Sequence, residues 1–176
     1  YGGDTSEAAR CDMAAEGVVD FSAVVGVLRG APAERHGALL QQVIGTDLST
    51  SVVESAQRGL YTLDRARMVP PGYLKRFCLK GHGEHEGKLL VTRDLRQRVR
   101  FTSANLMQPL PQLPMFDVIF LRNVLIYFDN DAKCQIVRRV LTQLKPDGVL
   151  YTGHAESLST LTLPVKPLAT AIHVHA

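Results

Sequence analysis

Four short stretches of the chain read as buried parallel strands: Val43-Ile44-Gly45-Thr46, the run 99–102, Val118-Ile119-Phe120-Leu121 and Val149-Leu150-Tyr151-Thr152. Each is apolar or β-branched with Arg100 the one charged interruption, as expected where both faces of a sheet are covered. Between the last two, Val137, Val140, Leu141 and Leu144 recur at i, i+3, i+4 and i+7 and predict an amphipathic helix. Asp129, Asn130 and Asp131 offer that helix an N-cap and charge that suits its dipole. Lys145-Pro146-Asp147-Gly148 is expected to stop it and turn the chain into the next strand. Strand, helix and strand form a βαβ unit, whose crossover is right-handed almost without exception.

A second unit starts at 43–47. Ser49, Thr50 or Ser51 can cap a helix running to about Arg58, with Glu54 completing a capping box to Ser51 and Gly59 ending the helix. Asp47 then lies just past a strand's carboxyl end, beside a helix N-terminus, at the edge where open α/β sheets bind ligands. An acid there can accept from a ribose diol, or serve only as a turn or cap residue; spacing leaves both open. Upstream, Phe21, Val24, Val25 and Leu28 have helical spacing and predict a helix near 18–29, ended by Gly30 and Pro32. No GxGxxG occurs, and Gly17 ahead of that helix points only weakly to a cofactor loop.

Residues 76–100 break the alternation. Arg76-Phe77-Cys78-Leu79 and Lys88-Leu89-Leu90-Val91 flank a glycine-rich stretch, 80–87, and predict a hairpin in a small antiparallel insert. His82, His85, Glu84 and Glu86 do not make a metal site on this reading, because three glycines in seven residues loosen the loop. An exposed edge that captures a peptide is the better functional expectation.

Composition narrows the class. The chain has 176 residues, 45% apolar and 21% charged, with 20 Lys plus Arg against 17 Asp plus Glu, which suits one α/β domain and excludes disorder. A formal charge of +3, with only scattered Arg93, Arg96, Arg98 and Arg100, does not argue for nucleic acid. No apolar run reaches the roughly 20 residues of a spanning helix, and no signal peptide is evident, so neither membrane insertion nor export is expected. Cys11, Cys78 and Cys134 are too few and too far apart for a disulfide framework, and a reduced cytoplasmic setting is expected.

Taken in order, several motifs resemble the CheR-type chemotaxis receptor methyltransferases. They are Gly45-Thr46-Asp47-Leu48, Arg58-Gly59-Leu60-Tyr61, Lys80-Gly81-His82-Gly83-Glu84-His85-Glu86-Gly87, Asn105-Leu106, the run 116–128, Leu144-Lys145-Pro146-Asp147-Gly148 and Gly153-His154-Ala155-Glu156-Ser157. The resemblance implies a Rossmann-like methyltransferase sheet with a small antiparallel β-subdomain inserted at about 76–98 in a domain covering 1–176. It implies S-adenosylmethionine (SAM) as methyl donor and receptor glutamates as acceptors, giving methyl esters. It also implies Asp47 at the SAM ribose, Asn105 and Leu106 on the adenine side, and Asn123 and Val124 near the methionine moiety. Tyr127 would be the active-site tyrosine, although by pattern alone it is a packing aromatic. Gly17, Phe21 and Ser22 match the family's first SAM loop, while Val18 and Val19 replace two glutamates. The insert, with Lys80, Gly81, Gly83 and Gly87, is similar to members that bind a receptor's C-terminal tail peptide as an added strand. The family's helical domain and its active-site arginine would lie upstream of this sequence. A non-catalytic module that keeps the receptor-tail hairpin, and possibly SAM affinity, is the alternative.

Overall fold

Two sheets organise the chain, and the larger one mixes strand directions. The computed structural model describes residues 24–32 and 39–176. Strands β1 (Val24–Pro32), β2 (Leu39–Asp47), β6 (Val99–Ser103), β7 (Phe116–Leu121), β8 (Leu144–Thr152), β9 (Val165–Ala169) and β10 (Ile172–His175) form a seven-stranded sheet in the order β6-β2-β1-β7-β8-β10-β9. The four expected strands are present as two parallel pairs, β2 with β6 and β7 with β8. Between the pairs runs β1, antiparallel to both β2 and β7.

That strand corrects the helix expected near 18–29. Residues 24–29 are extended, and 18–23 lie outside the described residues. The helical spacing was a subset of a continuous apolar run, which periodicity alone cannot distinguish from a buried strand. Three valines in five residues favour the extended state, Gly26 weakens a helix, and ladders on both sides satisfy the backbone.

Helix α1 (Thr50–Arg58) begins at Ser49, whose side chain accepts from the Val52 N–H at 3.4 Å. The capping box from Ser51 to Glu54 is therefore not the device used, because Ser51 already lies inside the helix. Gly59 ends α1 at φ 65, a left-handed cap that L side chains adopt at a cost. Beyond it lies the second sheet, three antiparallel strands in the order β3-β5-β4: β3 (Leu60–Thr62), β4 (Cys78–Lys80) and β5 (Lys88–Val91). The hairpin read from sequence is β4–β5; β3 was missed because three residues carry no periodicity. Helix α2 (Pro71–Phe77) leads into β4, and α3 (Arg93–Arg96) returns the chain to β6.

Helix α4 (Asn130–Leu141) crosses between β7 and β8. Asp129 caps it, accepting from the Ala132 N–H at 2.8 Å, and Ile136, Val137, Val140 and Leu141 are buried. Leu144 is not its last apolar position but the first residue of β8. Lys145-Pro146-Asp147-Gly148 likewise lies within β8, where the register jumps between Phe116↔Leu144 and Val118↔Val149. The turn residues produce a bulge, and Lys145 Nζ holds it by donating to both Asp117 oxygens at 3.0 Å. The core gathers where α4 covers β7 and β8: Ile119, Leu121, Leu125, Ile136, Leu144 and Leu150 are completely or almost completely buried.

One buried base gives the fold a pH dependence. His173 on β10 is 6% exposed, with Nε2 3.4 Å from Thr152 Oγ1. Desolvation lowers its pKa from the ordinary 6.5, so the unfolded chain takes up the proton first as pH falls. Stability should be full above about pH 6.5 and decline below it. Chemical denaturation of His173→Gln at pH 7.5 and 5.5 checks this, and an unchanged pH dependence would refute it.

Candidate functional site

The pairing registers bring four strand ends to one edge. Val24 of β1 pairs with Thr46 of β2 on one side and with Leu121 of β7 on the other. Thr102 of β6 extends that row beyond Thr46, and Thr152 of β8 extends it beyond Leu121. Since β1 opposes both β2 and β7, the strands β6, β2, β7 and β8 all run the same way and end together. Carboxyl ends gathered in this way form the edge at which open α/β sheets bind ligands.

Asp47 closes β2, half-buried, with Oδ1 accepting from the Ser49 N–H at 2.8 Å. Its turn role is thus real, while the cap belongs to Ser49. Asn105 lies two residues past β6, also half-buried, and its Oδ1 accepts from the Met107 N–H at 2.9 Å. Leu106 is buried in the core with Ile44 and Ile119, and its carbonyl accepts from Arg139. Asn123 lies two residues past β7, exposed, at φ 57. Val124 is fully buried, so its side chain belongs to the core rather than to a crevice. Tyr127 is half-buried at the end of a short 3-10 turn, Leu125–Tyr127. Because β1 is the single strand between β2 and β7, those two strands lie two strand spacings, about 10 Å, apart. Gly17 lies outside the described residues.

Glu156, within Gly153-His154-Ala155-Glu156-Ser157, has no task legible in the sequence. The structure buries it, and its carboxylate accepts from the N–H groups of Asn123, Val124 and Leu125 at 2.9, 2.7 and 2.6 Å. The signal was an acid three residues past a glycine at a strand's end, which local pattern reads as surface.

In the insert, Gly81 donates to the Lys88 carbonyl at 2.9 Å, and a Cβ at 81 would lie 2.0 Å from the His85 carbonyl oxygen. Gly83 and Gly87 adopt φ 59 and 76. These three glycines therefore have a local conformational reason of their own. A Gly81→Ala chain should lose order in 81–87 while the large sheet persists, visible as amide-exchange loss confined to β4 and β5; loss spread over both sheets would refute that. Lys80 is exposed on β4, an outer strand of the small sheet. Among the described residues no cluster of three His, Cys, Asp or Glu could hold a metal ion.

Comparison with known proteins gives the family. A model of the CheR methyltransferase SAM-binding domain matches residues 22–173. The chain belongs to that family. S-adenosylmethionine is the methyl donor that CheR domains bind. The chain is 41% identical over 121 residues to a chemotaxis protein methyltransferase of Salmonella typhimurium, covering 68% of this chain and 42% of that protein. A chemotaxis protein methyltransferase of Escherichia coli is 40% identical over 121 residues, covering 68% and 42%. One from Klebsiella aerogenes is 40% identical over 130 residues, covering 73% and 44%. The chain thus spans less than half the length of these CheR relatives. Among the described residues, no helix of this CheR domain is long and apolar enough to cross a membrane.

Proposed function

We propose that this CheR-family chain binds SAM across the carboxyl ends of β2, β6 and β7 and carries methyl transfer to glutamate side chains of a chemotaxis receptor. The observation that supports this is the common edge: Asp47 closes β2, and Asn105 and Asn123 follow β6 and β7, three strands that end together. On this reading Asp47 accepts from the ribose diol; its carboxylate has about four lone-pair sites, so the Ser49 contact and a ribose are compatible. Asn105 and the backbone beside Leu106 border the adenine. Asn123 and the backbone of Val124 border the methionine moiety.

The donor supplies a methyl group already activated on a sulfonium. A glutamate carboxylate is ionised at neutral pH and needs no strong base, so the chain's task is alignment and partial exclusion of water. Tyr127 serves as an orienting hydroxyl at the acceptor. Tyr127→Phe should lower turnover at least about tenfold, with S-adenosylhomocysteine affinity changed less than about twofold. Equal losses in both would assign Tyr127 to packing instead.

Transfer of labelled methyl from SAM to a receptor fragment tests the reaction, with calorimetry for binding. Absence of binding by the folded chain would sink the reading. Binding without transfer would favour a non-catalytic module, a reading supported by Val18 and Val19 where the family has glutamates. The insert is proposed to add a receptor-tail peptide at its outer strand, with Lys80 and the loop 81–87 at the contact, raising the local concentration of receptor glutamates. Deleting 81–87 should weaken capture of a receptor tail and leave S-adenosylhomocysteine affinity unchanged; joint loss would count against the tether. The setting proposed for this chemistry is the cytoplasm.

A further inference from the structure

Glu156 is 4% exposed, and among the described residues no Lys, Arg or His forms an ion pair with it. A buried carboxylate without a cation must be held by dipoles. Here backbone N–H groups do this from two strand ends. Oε1 accepts from Val124 at 2.7 Å, Leu125 at 2.6 Å and more weakly Ile126 at 3.4 Å. Oε2 accepts from Asn123 at 2.9 Å and Gly153 at 2.6 Å. One side chain thus ties the segment that follows β7 to the residue that follows β8. Asn123 sits at φ 57, in the left-handed region that asparagine tolerates better than most side chains, and successive N–H groups there converge on one point, which an anionic acceptor holds in place. Gly153 is part of the fit: a Cβ at 153 would lie 2.4 Å from Glu156 Oε2 and 3.3 Å from Asn123 Oδ1.

We infer that Glu156 is a positioning residue for the donor site: it holds the backbone of 123–126 and through it the side chains of Asn123 and Tyr127. This rests on the proposed site, although the hold on the segment stands apart from it. The choice of glutamate follows from the donors. Glutamine of the same shape would present an NH2 group to at least one set of N–H donors, and aspartate is one methylene short.

The test uses the whole chain with Glu156→Gln, Gly153→Ala and, as a control for simple loss of packing, Val137→Ala. Affinity for S-adenosylhomocysteine is measured by calorimetry, stability by denaturation, and the hold on the segment by amide hydrogen exchange. Glu156→Gln and Gly153→Ala should bind at least about tenfold more weakly, a loss of about 1.4 kcal/mol, and lose protection at Val124 and Leu125. Val137→Ala should lose comparable stability but keep affinity within about twofold, since Val137 packs in the core on α4. A folded Glu156→Gln that binds within twofold of the parent overturns the inference. So does equal weakening in the Val137 control, or a Glu156→Gln chain that cannot fold, which would make the residue a general structural one. If the parent itself binds no S-adenosylhomocysteine, the site reading fails. Exchange at Val124 and Leu125 then decides on the hold alone: lost protection in Glu156→Gln supports it, and unchanged protection overturns it.

Discussion

An Asp47→Ala chain is expected to bind S-adenosylhomocysteine about a hundredfold more weakly than the parent, a loss near 2.7 kcal/mol. A carboxylate facing a ribose diol makes two charge-assisted hydrogen bonds, each contributing roughly 1.5–3 kcal/mol before the cost of desolvating the acid. Alanine removes both and leaves the diol facing nothing. It also removes the turn acceptor for the Ser49 N–H, so stability must be measured beside affinity. Asp47→Asn separates the two roles, because its side-chain oxygen can still close the turn while the charge is gone. Calorimetry should rank parent, Asn and Ala in falling affinity, with denaturation midpoints of parent and Asn nearly equal. An Ala chain that loses stability but binds normally would return Asp47 to a turn residue.

The largest loss of stability is expected from Leu121→Ala. Leu121 is 0% exposed, pairs with Val24 and Thr152 and closes β7 next to the segment that carries Asn123. Removing three carbons from such a site costs about 2–5 kcal/mol, from lost transfer energy and from a cavity that strands on both sides keep from collapsing. For a domain of this size that corresponds to a fall in melting temperature of roughly 4–20 °C. Leu79→Ala, on the outer strand β4 and 57% exposed, should change stability by no more than about 0.5 kcal/mol. Urea denaturation of both chains checks the contrast, and a Leu121 effect no larger than that of Leu79 would refute the central place given to β7.

Local signals were legible where one short-range rule governs. Ser49 and Gly59 bound α1, and Asp129 caps α4, because caps depend on a few neighbouring atoms. Short apolar runs located β2, β6, β7 and β8. The same rule failed at 24–29, where an apolar run had helical spacing, and at Leu144, where four matching positions spanned a helix end and a strand start. Candidate site residues could be placed at strand ends from sequence, but not their company: Val124 and Leu106 are buried in the core.

By itself the sequence determined the α/β class, the hairpin insert, both ends of α1, the start of α4 and the family, since each depends on residue types at short spacing or on the order of motifs. Tertiary structure alone decided three things. It set β1 antiparallel between the two parallel pairs, which depends on ladder partners distant in the chain. It turned Lys145-Pro146-Asp147-Gly148 from a terminator into a bulge against β7. And it brought Glu156 onto N–H groups some thirty residues away. An acid's task depends on which donors surround it once water is excluded, and that is a property of the packed chain, not of its neighbours in sequence.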